Sequence, residues 1–464
     1  MTLDRSPGAV GGNRPPIQAI KPQNGKSIVF EVQNLTSGSG TGIRTYARNL
    51  GMAATRLGYQ AQGVLGVPKT LRSKDARLNE VLAFDAAAAP EWLPLERLQP
   101  LWVSLLLQRI SGARLTEVPR SGLVISPDAD ALQPFEKVFA ARHLMETAVA
   151  HFTAFGRPLS LRLPVATAAF QTTSAVALAM KGGPNLYTIH DLVPLRLPHT
   201  TLDNKRFQYA LLRHLAKSAD HIVTVSEFSR RDIIEQLGAD EDRVTNTYQP
   251  VNLPPHVLNQ SMDEVAKVLE TAFGLEVGQY YLFYGSLEPK KNVARLIDAY
   301  AQSRIRLPLV VAGAEGWQNK AELRKMRDPR FAYWRVDGDR IRRESQIRNV
   351  GYLSNDKLMA LVRGARALLF PSIYEGFGLP VVEAMTLGTP VVTSRVASLP
   401  EITGEAALLA DPYSVDSISD AIVAMDSDPD LRLELARRGR QQAERFSTSA
   451  YDARLKDLYS RLGI

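Results

Sequence analysis

Two glutamates, Glu375 and Glu383, lie eight residues apart around the segment Gly376-Phe377-Gly378-Leu379-Pro380. The apolar run before Glu375 predicts a buried strand, the two glycines let the backbone approach a ligand closely, and Pro380 suits the first turn of a helix. Free N–H groups at the start of that helix favour a phosphate. Carboxylates cannot bind a phosphate directly, but they accept hydrogen bonds from hydroxyl groups, which sugars and riboses supply. The segment therefore predicts a site for a phosphorylated ligand that is rich in hydroxyl groups.

A pair of lysines, Lys290 and Lys291, follows a second predicted strand that ends at Gly285. Two adjacent cations at a strand end can bind an anionic group. The alternative is a lysine pair on the solvated start of a helix. Because the glutamate pair lies in the same predicted domain, we favour a ligand-binding role for both lysines.

A histidine follows a strand in the first half of the chain, in the sequence Thr188-Ile-His-Asp191. A single histidine at a strand end either packs or caps the backbone, or it serves as an active-site group that titrates near neutral pH. We predict that His190 is an active-site residue, because Asp191 adjoins it and because this strand end should face the same cleft as the glutamates.

The loop Gly40-Thr41-Gly42 lies between the first predicted strand and a helix, where phosphate-binding loops occur. It does not fit the dinucleotide fingerprint, because Ile43 stands where that pattern needs Gly or Ala. The next strand also ends without the acidic residue that would hold a ribose. We therefore exclude a dinucleotide-binding loop.

Two Asp-x-Asp triplets, Asp128-Ala-Asp130 and Asp337-Gly-Asp339, have the residue types of a divalent metal site. Both lie in polar, turn-like segments away from the strand ends, and aspartate commonly forms turns there. The chain contains no cysteine, which excludes disulfides, thiolate nucleophiles and Cys-ligated metal clusters. We predict no metal site.

Strands and helices alternate twice along the chain, once before and once after residues 250–278, where three prolines mark a linker. The first series begins with strand 27–33 and helix 43–57, and the second with strand 280–285 and helix 292–303. This alternation predicts an α/β protein of two Rossmann-like, doubly wound domains that face each other across a cleft. Residues 91–162 are mostly helical in pattern, and we predict that they form an insertion in the first domain.

The chain of 464 residues is too long for one compact core, and its 45% hydrophobic content excludes a disordered or fibrous protein. The net charge is +8, and residues 304–348 hold twelve basic and six acidic residues. Such a basic excess attracts nucleic acid, anionic lipid or phosphorylated small molecules, or forms a solvated face. No zinc-finger spacing or aromatic-interleaved basic repeat favours nucleic acid, and we predict no nucleic-acid partner.

Residues 1–26 are rich in Gly and Pro, and we predict a disordered leader without a secretory signal. The longest uncharged run, residues 165–180, is too short and too polar to span a bilayer. We therefore expect a cytoplasmic protein whose membrane contact, if present, is peripheral and on the cytoplasmic face of the inner membrane.

Taken together, these motifs resemble the signature of the family-four retaining glycosyltransferases with the GT-B fold. The resemblance rests on Glu375-Gly-Phe-Gly-Leu-Pro with Glu383, on Gly285-Ser-Leu-Glu-Pro-Lys-Lys-Asn292 and on the His190-Asp191 pair, and it covers residues 27–446 in order. Many members of that family have Arg where Lys290 stands, so this chain has a point charge in place of a bidentate guanidinium.

The resemblance implies that Glu375 and His190 lie at the donor sugar, that Glu383 holds the nucleotide ribose, and that the lysines bind the donor diphosphate. The implied catalytic residues are His190, Lys291 and Glu375; the implied donor-binding residues are Gly285, Lys290, Lys291, Gly376, Phe377, Gly378, Leu379 and Glu383; and the implied acceptor and diphosphate loop is Gly40, Thr41 and Gly42.

The same resemblance implies an acceptor domain over residues 27–252, a nucleotide-sugar donor domain over 253–446, and a C-terminal helix, 447–464, that packs back on the first domain. The implied reaction moves a sugar from a nucleotide-diphosphate donor to an acceptor hydroxyl with retention at the anomeric carbon. It needs no metal or other cofactor. We expect front-face substitution, in which the departing diphosphate helps to take the proton of the acceptor.

Residues 187–198 (Tyr-Thr-Ile-His-Asp-Leu-Val-Pro-Leu-Arg-Leu-Pro) resemble mannosyltransferases of bacterial surface polysaccharide and exopolysaccharide assembly. This implies GDP-mannose as donor, with UDP-sugars as the alternative, and a glycan acceptor linked to polyprenyl diphosphate. Two other classes stay open: a nucleotide-sugar epimerase or phosphorylase of the GT-B type, and a non-catalytic glycan-binding protein. The intact His190, Lys291, Glu375 and Glu383 argue against a decayed site.

Overall fold

The structure, a computed structural model, describes residues 25–36, 42–71, 73–85, 112–163, 166–314, 316, 320–337 and 340–464. Nearly all of the predicted leader, the loop residues Gly40 and Thr41, and residues 91–111 of the predicted insertion therefore lie outside the described residues. The described residues form two large sheets with helices packed on them. As predicted, the first sheet is built from the first half of the chain and the second sheet from the second half.

The first sheet contains eight strands. In spatial order they are Val244–Asn246, His221–Thr224, Asn185–Thr188, Ala169–Gln171, Ser27–Glu31, Gln60–Val67, Lys137–Arg142 and Thr116–Glu117. Neighbouring strands are parallel except for the last pair. A smaller sheet pairs Ala113–Arg114 with Leu159–Arg162 and Leu159–Arg162 with Leu178–Met180. The helices of this half are Gly42–Arg56, Ala76–Phe84, Pro127–Ala131, Leu144–Phe155, Val193–Arg196, Lys205–Ser218 and Glu227–Leu237.

The second sheet contains six parallel strands. Their spatial order is Ile347–Gly351, Leu309–Ala312, Tyr281–Tyr284, Ala367–Phe370, Val391–Ser394 and Leu408–Ala410. An antiparallel hairpin, Ala332–Asp337 with Arg340–Ser345, precedes the edge strand. The helices of this half are Pro255–Leu258, Met262–Phe273, Val293–Ser303, Lys320–Met326, Asn355–Gly364, Leu379–Leu387, Leu399–Thr403, Val415–Ser427, Pro429–Ala443 and Thr448–Arg461.

The two central strands of the second sheet, Tyr281–Tyr284 and Ala367–Phe370, are buried along their whole length. Helices cover both faces of such a sheet, so its strands are nearly continuous apolar runs without alternation. These continuous apolar runs are why both strands can be predicted from the sequence. Because the strands are parallel and adjacent, their carboxyl ends meet at one edge. The loops after them, 285–292 and 371–378, are therefore neighbours.

The mostly helical pattern that we predicted for residues 91–162 is wrong for residues 112–162. There the structure has four strands as well as two helices. The strand Lys137–Arg142 pairs in parallel with Gln60–Val67 inside the first sheet, so this part belongs to the sheet and not to an insertion beside it. Burial in the sheet outweighs the helical pattern of its neighbours, because Val138, Phe139 and Ala140 are almost fully buried.

The predicted linker also contains regular structure. Ser261 and Glu264 form a reciprocal capping box at the start of the helix Met262–Phe273. Val265 and Leu269 on that helix are fully buried in the core. Much of residues 250–278 is therefore a helix packed on the core and not an extended linker. The three prolines lie only in its first six residues.

The last helix, Thr448–Arg461, contacts the first helix and the first sheet. Arg56 donates to Asp452 at 2.6 and 2.8 Å, and the Tyr459 hydroxyl donates to Gln171 at 2.6 Å. The domain limits at 252/253 and 446/447 stay predictions. Within the described part of the chain, no helix is both long enough and apolar enough to cross a bilayer.

Candidate active site

Glu375 and Lys291 form a buried ion pair where the two central strands of the second sheet end. Lys291 Nζ donates to Glu375 Oε1 at 2.7 Å, and the two side chains are 12% and 9% exposed. The ammonium also lies 5.0 Å from the centroid of the Phe370 ring. A backbone hydrogen bond from Ile373 N to Lys290 O, 2.8 Å long, fixes the two loops against each other. The sequence-predicted cation and carboxylate are therefore held together by the sheet itself.

The charged forms of Glu375 and of the neighbouring Lys290 are both favoured. Burial raises the pKa of Glu375, but the charges of Lys291 and Lys290 outweigh it, so the net pKa is below the ordinary value. Burial likewise lowers the pKa of Lys290, but Asp191 and Glu375 outweigh it, and the net pKa is raised. Asp191 follows a strand of the first sheet, so the two halves of the protein share this electrostatic site. An incoming diphosphate would meet the side chains of both lysines here.

Glu383 lies on the helix Leu379–Leu387 and has a different environment. The Tyr284 hydroxyl lies 2.7 Å from Glu383 Oε2 and 3.0 Å from the Pro380 carbonyl oxygen, so its single proton can be donated to either acceptor. Burial raises the pKa of Glu383 to about 7, although the hydrogen bond from Tyr284 lowers it. No ion pair within the described residues involves this carboxylate. Glu383 is therefore a hydrogen-bond acceptor whose charge changes near neutral pH.

Sequence reasoning missed Tyr284 as the partner of Glu383. The signal for it is weak but real: a tyrosine is the last residue of a buried strand, directly before Gly285. Gly285 itself has φ 142° and lies against Gly313, where a Cβ would come within 1.9 Å of the Gly285 carbonyl oxygen. Only glycine fits at position 313, and the contact keeps the loop after Tyr284 close to the end of the neighbouring strand Leu309–Ala312.

In the segment between the two glutamates, Gly378 is defined by its backbone conformation, whereas Phe377 and Leu379 are defined by what their side chains contact. Gly378 has φ 101° and is the N-cap of the following helix, where a side chain would be strained. Phe377 is buried and packs edge-on against Phe446 at 5.3 Å. Leu379 approaches the first half, because a Cβ on Gly42 would lie 3.3 Å from Leu379 Cδ1. Of the predicted acceptor loop, Gly42 is thus placed opposite the donor segment, and Gly40 and Thr41 lie outside the described residues.

His190 lies beside Gly376. A Cβ on Gly376 would meet the His190 carbonyl oxygen at 2.6 Å, so only glycine permits this approach of the two halves. His190 Nε2 lies 2.9 Å from the Thr173 carbonyl oxygen. A carbonyl can only accept, so Nε2 carries the proton and Nδ1 is left as an acceptor. Burial lowers the pKa of His190 despite the opposing influence of Thr173 and Asp191, which makes the imidazole neutral at pH 7.

Three further contacts join the two halves next to the site, and sequence reasoning found none of them. Glu401 Oε1 and Oε2 accept from the backbone N–H groups of Glu227 and Phe228 at 2.7 and 2.9 Å. These N–H groups begin the helix Glu227–Leu237 of the first half, so a carboxylate from the second half caps it. The Tyr374 hydroxyl donates to the buried Asp232 at 2.6 Å. The Ser229 hydroxyl lies 3.4 Å from the Gly376 carbonyl oxygen of the second half and 2.8 Å from the His190 carbonyl oxygen of its own half, so its single proton can be donated to either.

The contacts described for this site involve none of Asp128, Asp130 and Asp337 from the Asp-x-Asp triplets. Asp128 and Asp130 lie in the first turn of the helix Pro127–Ala131, and Asp128 pairs with Arg44 at 3.4 Å. Asp337 ends a strand of the hairpin, and Asp339 lies outside the described residues. Among the residues that the structure describes, no three His, Asp or Glu side chains are grouped as metal ligands.

The structure therefore brings most of the predicted site residues to one edge of the second sheet. Lys290, Lys291, Glu375 and Gly376 face the segment of His190, and Glu383 lies on the helix that follows. The arrangement offers two cations for phosphate, two carboxylates for hydroxyl groups and one neutral imidazole.

Known families match both halves of the chain. Residues 276–442 match the family described as "Glycosyl transferases group 1", and residues 163–253 match "Glycosyltransferase Family 4". The chain is 36% identical over 280 residues to O-antigen chain mannosyltransferase B of Escherichia coli, a match that spans 57% of this chain and 70% of that protein. It is 29% identical over 264 residues to the serotype-specific mannosyltransferase WbdA of Escherichia coli, which spans 56% of this chain and 31% of WbdA.

Solved structures show the same architecture. The structure of HepE from Anabaena, in complex with UDP and glucose, aligns with a TM-score of 0.62 at 17% identity, over 94% of this chain and all of that one. At this identity the alignment shows the fold, which confirms the predicted pair of Rossmann-like domains. With the fold, the two family matches and a relative at 36% identity in agreement, this chain belongs to the family-four glycosyltransferases with the GT-B fold.

Proposed function

We propose that this glycosyltransferase moves mannose from GDP-mannose to a hydroxyl of a lipid-linked glycan during the assembly of a bacterial polysaccharide. The similarity to O-antigen chain mannosyltransferase B supports the sugar and the class of product. A UDP-sugar is the alternative donor, since HepE was solved with UDP and glucose. Polyprenyl diphosphate is the proposed carrier of the acceptor, reached by peripheral contact with the inner membrane.

The observation that carries the proposal is the buried pair of Lys291 and Glu375 with Lys290 beside it, facing the His190 segment. In this geometry the two lysines would bind the donor diphosphate and stabilise the negative charge that grows on it as it leaves. Glu375 would accept hydrogen bonds from the sugar hydroxyls, and Glu383 from the ribose. No metal ion is needed for the charge on the diphosphate, since protonated amines supply it.

We propose front-face substitution with retention. The acceptor oxygen attacks the anomeric carbon from the face on which the diphosphate departs. The bond from that carbon to the phosphate oxygen breaks with its electron pair on the phosphate, and the acceptor proton moves to a phosphate oxygen. Glu375 is engaged by Lys291, and Glu383 is hydrogen-bonded by Tyr284. Neither carboxylate is proposed as a covalent nucleophile.

His190 has a supporting part in this mechanism. Its neutral imidazole has Nε2 fixed by Thr173, which orients the ring with Nδ1 as the acceptor. Tyr46 packs edge-on against the ring at 4.8 Å and limits its rotation. We propose that Nδ1 accepts a hydrogen bond from a hydroxyl of the donor sugar, which positions the sugar without adding charge near the anomeric carbon.

The experiment is a panel of nucleotide sugars, with released nucleoside diphosphate measured in the presence and absence of acceptor. Slow hydrolysis of GDP-mannose without acceptor, and faster release with a mannose-containing acceptor, is the expected result. Transfer to inorganic phosphate would indicate a phosphorylase, and a changed sugar with no released nucleotide would indicate an epimerase. Binding of glycan with no turnover of any donor would indicate a non-catalytic protein.

Two conservative variants separate the roles of the glutamates. Glu383→Gln should weaken GDP binding by about 1–2 kcal/mol, because an amide retains one acceptor. Glu375→Gln should leave GDP affinity nearly unchanged and lower kcat, because contacts to the sugar strengthen as positive charge develops at the anomeric carbon. Calorimetry with GDP and turnover of the full donor measure the two effects. Wild-type behaviour of both variants would refute the assignment.

A further inference from the structure

A long groove lies on the first half of the protein, between the helices Leu144–Phe155 and Lys205–Ser218, and it belongs to none of the motifs above. Its volume is about 830 Å³. It is lined by aromatic, cationic and small residues: Phe152, Thr153, Gly156, Asn204, Arg206, Phe207, Tyr209, Ala210, Arg213, His214 and Lys217. The groove therefore combines an apolar surface with positive charge.

Three cations form a stripe along one wall. Arg206, Arg213 and Lys217 are spaced by seven and four residues, which places them on one face of the helix. All three are exposed, and the helix Lys205–Ser218 contains no acidic residue. No ion pair in the described part of the chain involves them. The guanidinium of Arg213 lies over the Tyr209 ring at 5.6 Å from its centroid. This wall presents positive charge that nothing described in the protein neutralises.

The floor of the groove is aromatic. Phe152 is 5% exposed, and its ring packs edge-on against Phe207 at 5.8 Å and His214 at 5.5 Å. Of the lining residues, Tyr209 is 47% exposed, and Leu202, two positions before the lining residue Asn204, is 72% exposed. Large apolar side chains at a protein surface commonly mark a binding site when cations surround them. The groove is open on one side, so an extended molecule can lie along it.

One end of the groove lies close to the candidate active site. The helix Val193–Arg196, which begins two residues after Asp191, contacts the helix Lys205–Ser218. Asn204, which lines the groove, is the N-cap of the second of these helices. The charge of Asp203 also helps to raise the pKa of Lys290. From Arg206 to Lys217 the cationic stripe is roughly 16 Å long, at about 1.5 Å per residue. A ligand that lies along the groove can therefore extend toward the site with one end.

We propose that this groove binds the diphosphate and the first isoprene units of the carrier lipid on which the acceptor glycan is built. This inference rests on the proposed function, because it names the site for the carrier of the proposed acceptor. Arg206, Arg213 and Lys217 bind the phosphate oxygens. Phe152, Phe207 and the exposed apolar residues beside them pack against the isoprene units. The acceptor glycan would extend from this diphosphate toward the donor.

The test compares two acceptors that carry the same glycan, one on a short prenyl diphosphate in detergent and one on an uncharged methyl glycoside. The variants are Arg206→Ala, Arg213→Ala and Lys217→Ala, singly and together. The triple variant should raise KM for the prenyl-diphosphate acceptor by at least about tenfold, since each charged contact to phosphate is strong. KM for the donor and the rate with the methyl glycoside should stay unchanged. Arg206→Lys with Arg213→Lys should retain most of the affinity.

Lys267→Ala is the matched control, since this exposed lysine lies on the helix Met262–Phe273 of the other half. An unchanged KM for the prenyl-diphosphate acceptor in the triple variant overturns the proposal. An equal loss with the methyl glycoside overturns it as well, because the defect would then be general. If the triple variant loses binding to phosphatidylglycerol vesicles but keeps its KM in detergent, the groove contacts the bilayer and the proposal is wrong.

A final arm separates this inference from the proposed function. If the wild type transfers sugar to neither acceptor, the proposed acceptor is wrong. Calorimetry with free prenyl diphosphate then still tests whether the groove binds the carrier. Binding to the wild type that the triple variant loses supports the site, and equal binding to both overturns it.

Discussion

The affinity for the nucleotide should depend on pH through Glu383. Burial raises the pKa of this carboxyl to about 7 in the ligand-free protein. An ionised carboxylate accepts hydrogen bonds from two ribose hydroxyls, whereas the protonated form has lost part of its acceptor capacity. Nucleotide binding therefore favours the ionised form, and below the pKa binding must release a proton. The affinity should rise with pH and level off above neutrality.

The size of the effect follows from the pKa. At about pH 8 roughly nine in ten molecules have Glu383 ionised, and at about pH 6 roughly one in ten. The apparent dissociation constant should therefore increase about tenfold from pH 8 to pH 6, which is about 1.4 kcal/mol. Calorimetry with GDP over this range measures it, and buffers of different ionisation enthalpy report the proton that is released.

The terminal phosphate of the nucleotide also titrates near pH 6, so a control is required. Glu383→Gln retains the shape of the side chain and cannot ionise, so the pH dependence that disappears in this variant belongs to Glu383. Tyr284→Phe removes a donor that favours the ionised form, so it should raise the pKa of Glu383 further and move the midpoint to higher pH. Equal GDP affinities of the wild type at pH 6 and pH 8 would refute the reasoning, as would a Glu383→Gln variant with the full wild-type dependence.

Four other outcomes are expected. Lys291→Ala should lower kcat on the order of 100-fold, with Lys291→Arg as the charge-preserving control and circular dichroism to verify the fold; wild-type turnover would remove this lysine from the site. Activity should persist in excess EDTA, and loss that Mg²⁺ or Mn²⁺ restores would contradict a metal-independent reaction. Because its pKa is raised on folding, Glu383 destabilises the ligand-free protein as pH rises from about 4.5 to 7, so Glu383→Gln should stabilise it by up to about 3 kcal/mol at pH 8 in denaturant titrations. Gly313→Ala should cost more than about 3 kcal/mol because of its contact with a backbone oxygen, whereas Gly278→Ala, with a similar sign of φ but open space, should cost about 1 kcal/mol.

The sequence predicts best those features that local chemistry determines. Serine is a favourable N-cap residue and glycine a favourable C-cap residue, and the helix Glu227–Leu237 lies between Ser226, whose side chain accepts from Ser229 N, and Gly238 at φ 68°. The strands Tyr281–Tyr284 and Ala367–Phe370 are apolar on both faces, so continuous runs of apolar residues show them. The residues at the ends of these strands are brought together by the parallel sheet, which is why Lys291 and Glu375 were predictable as neighbours.

Features that depend on distant residues were not predictable. Tyr284 and Glu383 are 99 positions apart, and the cap that Glu401 places on the helix at Glu227 joins residues 174 positions apart. The strand Lys137–Arg142 was missed because a short apolar segment fits a helix or a strand equally well, and its partner Gln60–Val67 decides between them. One sequence contains no record of such pairings, since they follow from packing.

The carboxylate of Glu401 also has a consequence for the release of product. Its two hydrogen bonds to Glu227 and Phe228 exist only while the halves of the protein are together. When the halves separate, water solvates both the carboxylate and the helix end, so each bond contributes only about 0.5–1.5 kcal/mol net. The contact is therefore strong enough to fix the relative orientation of the halves and weak enough to break in every cycle. If release of the nucleoside diphosphate limits turnover, weakening the hydrogen bonds of Glu401 should raise kcat. The same change should raise KM, because the closed arrangement that binds substrate becomes less stable.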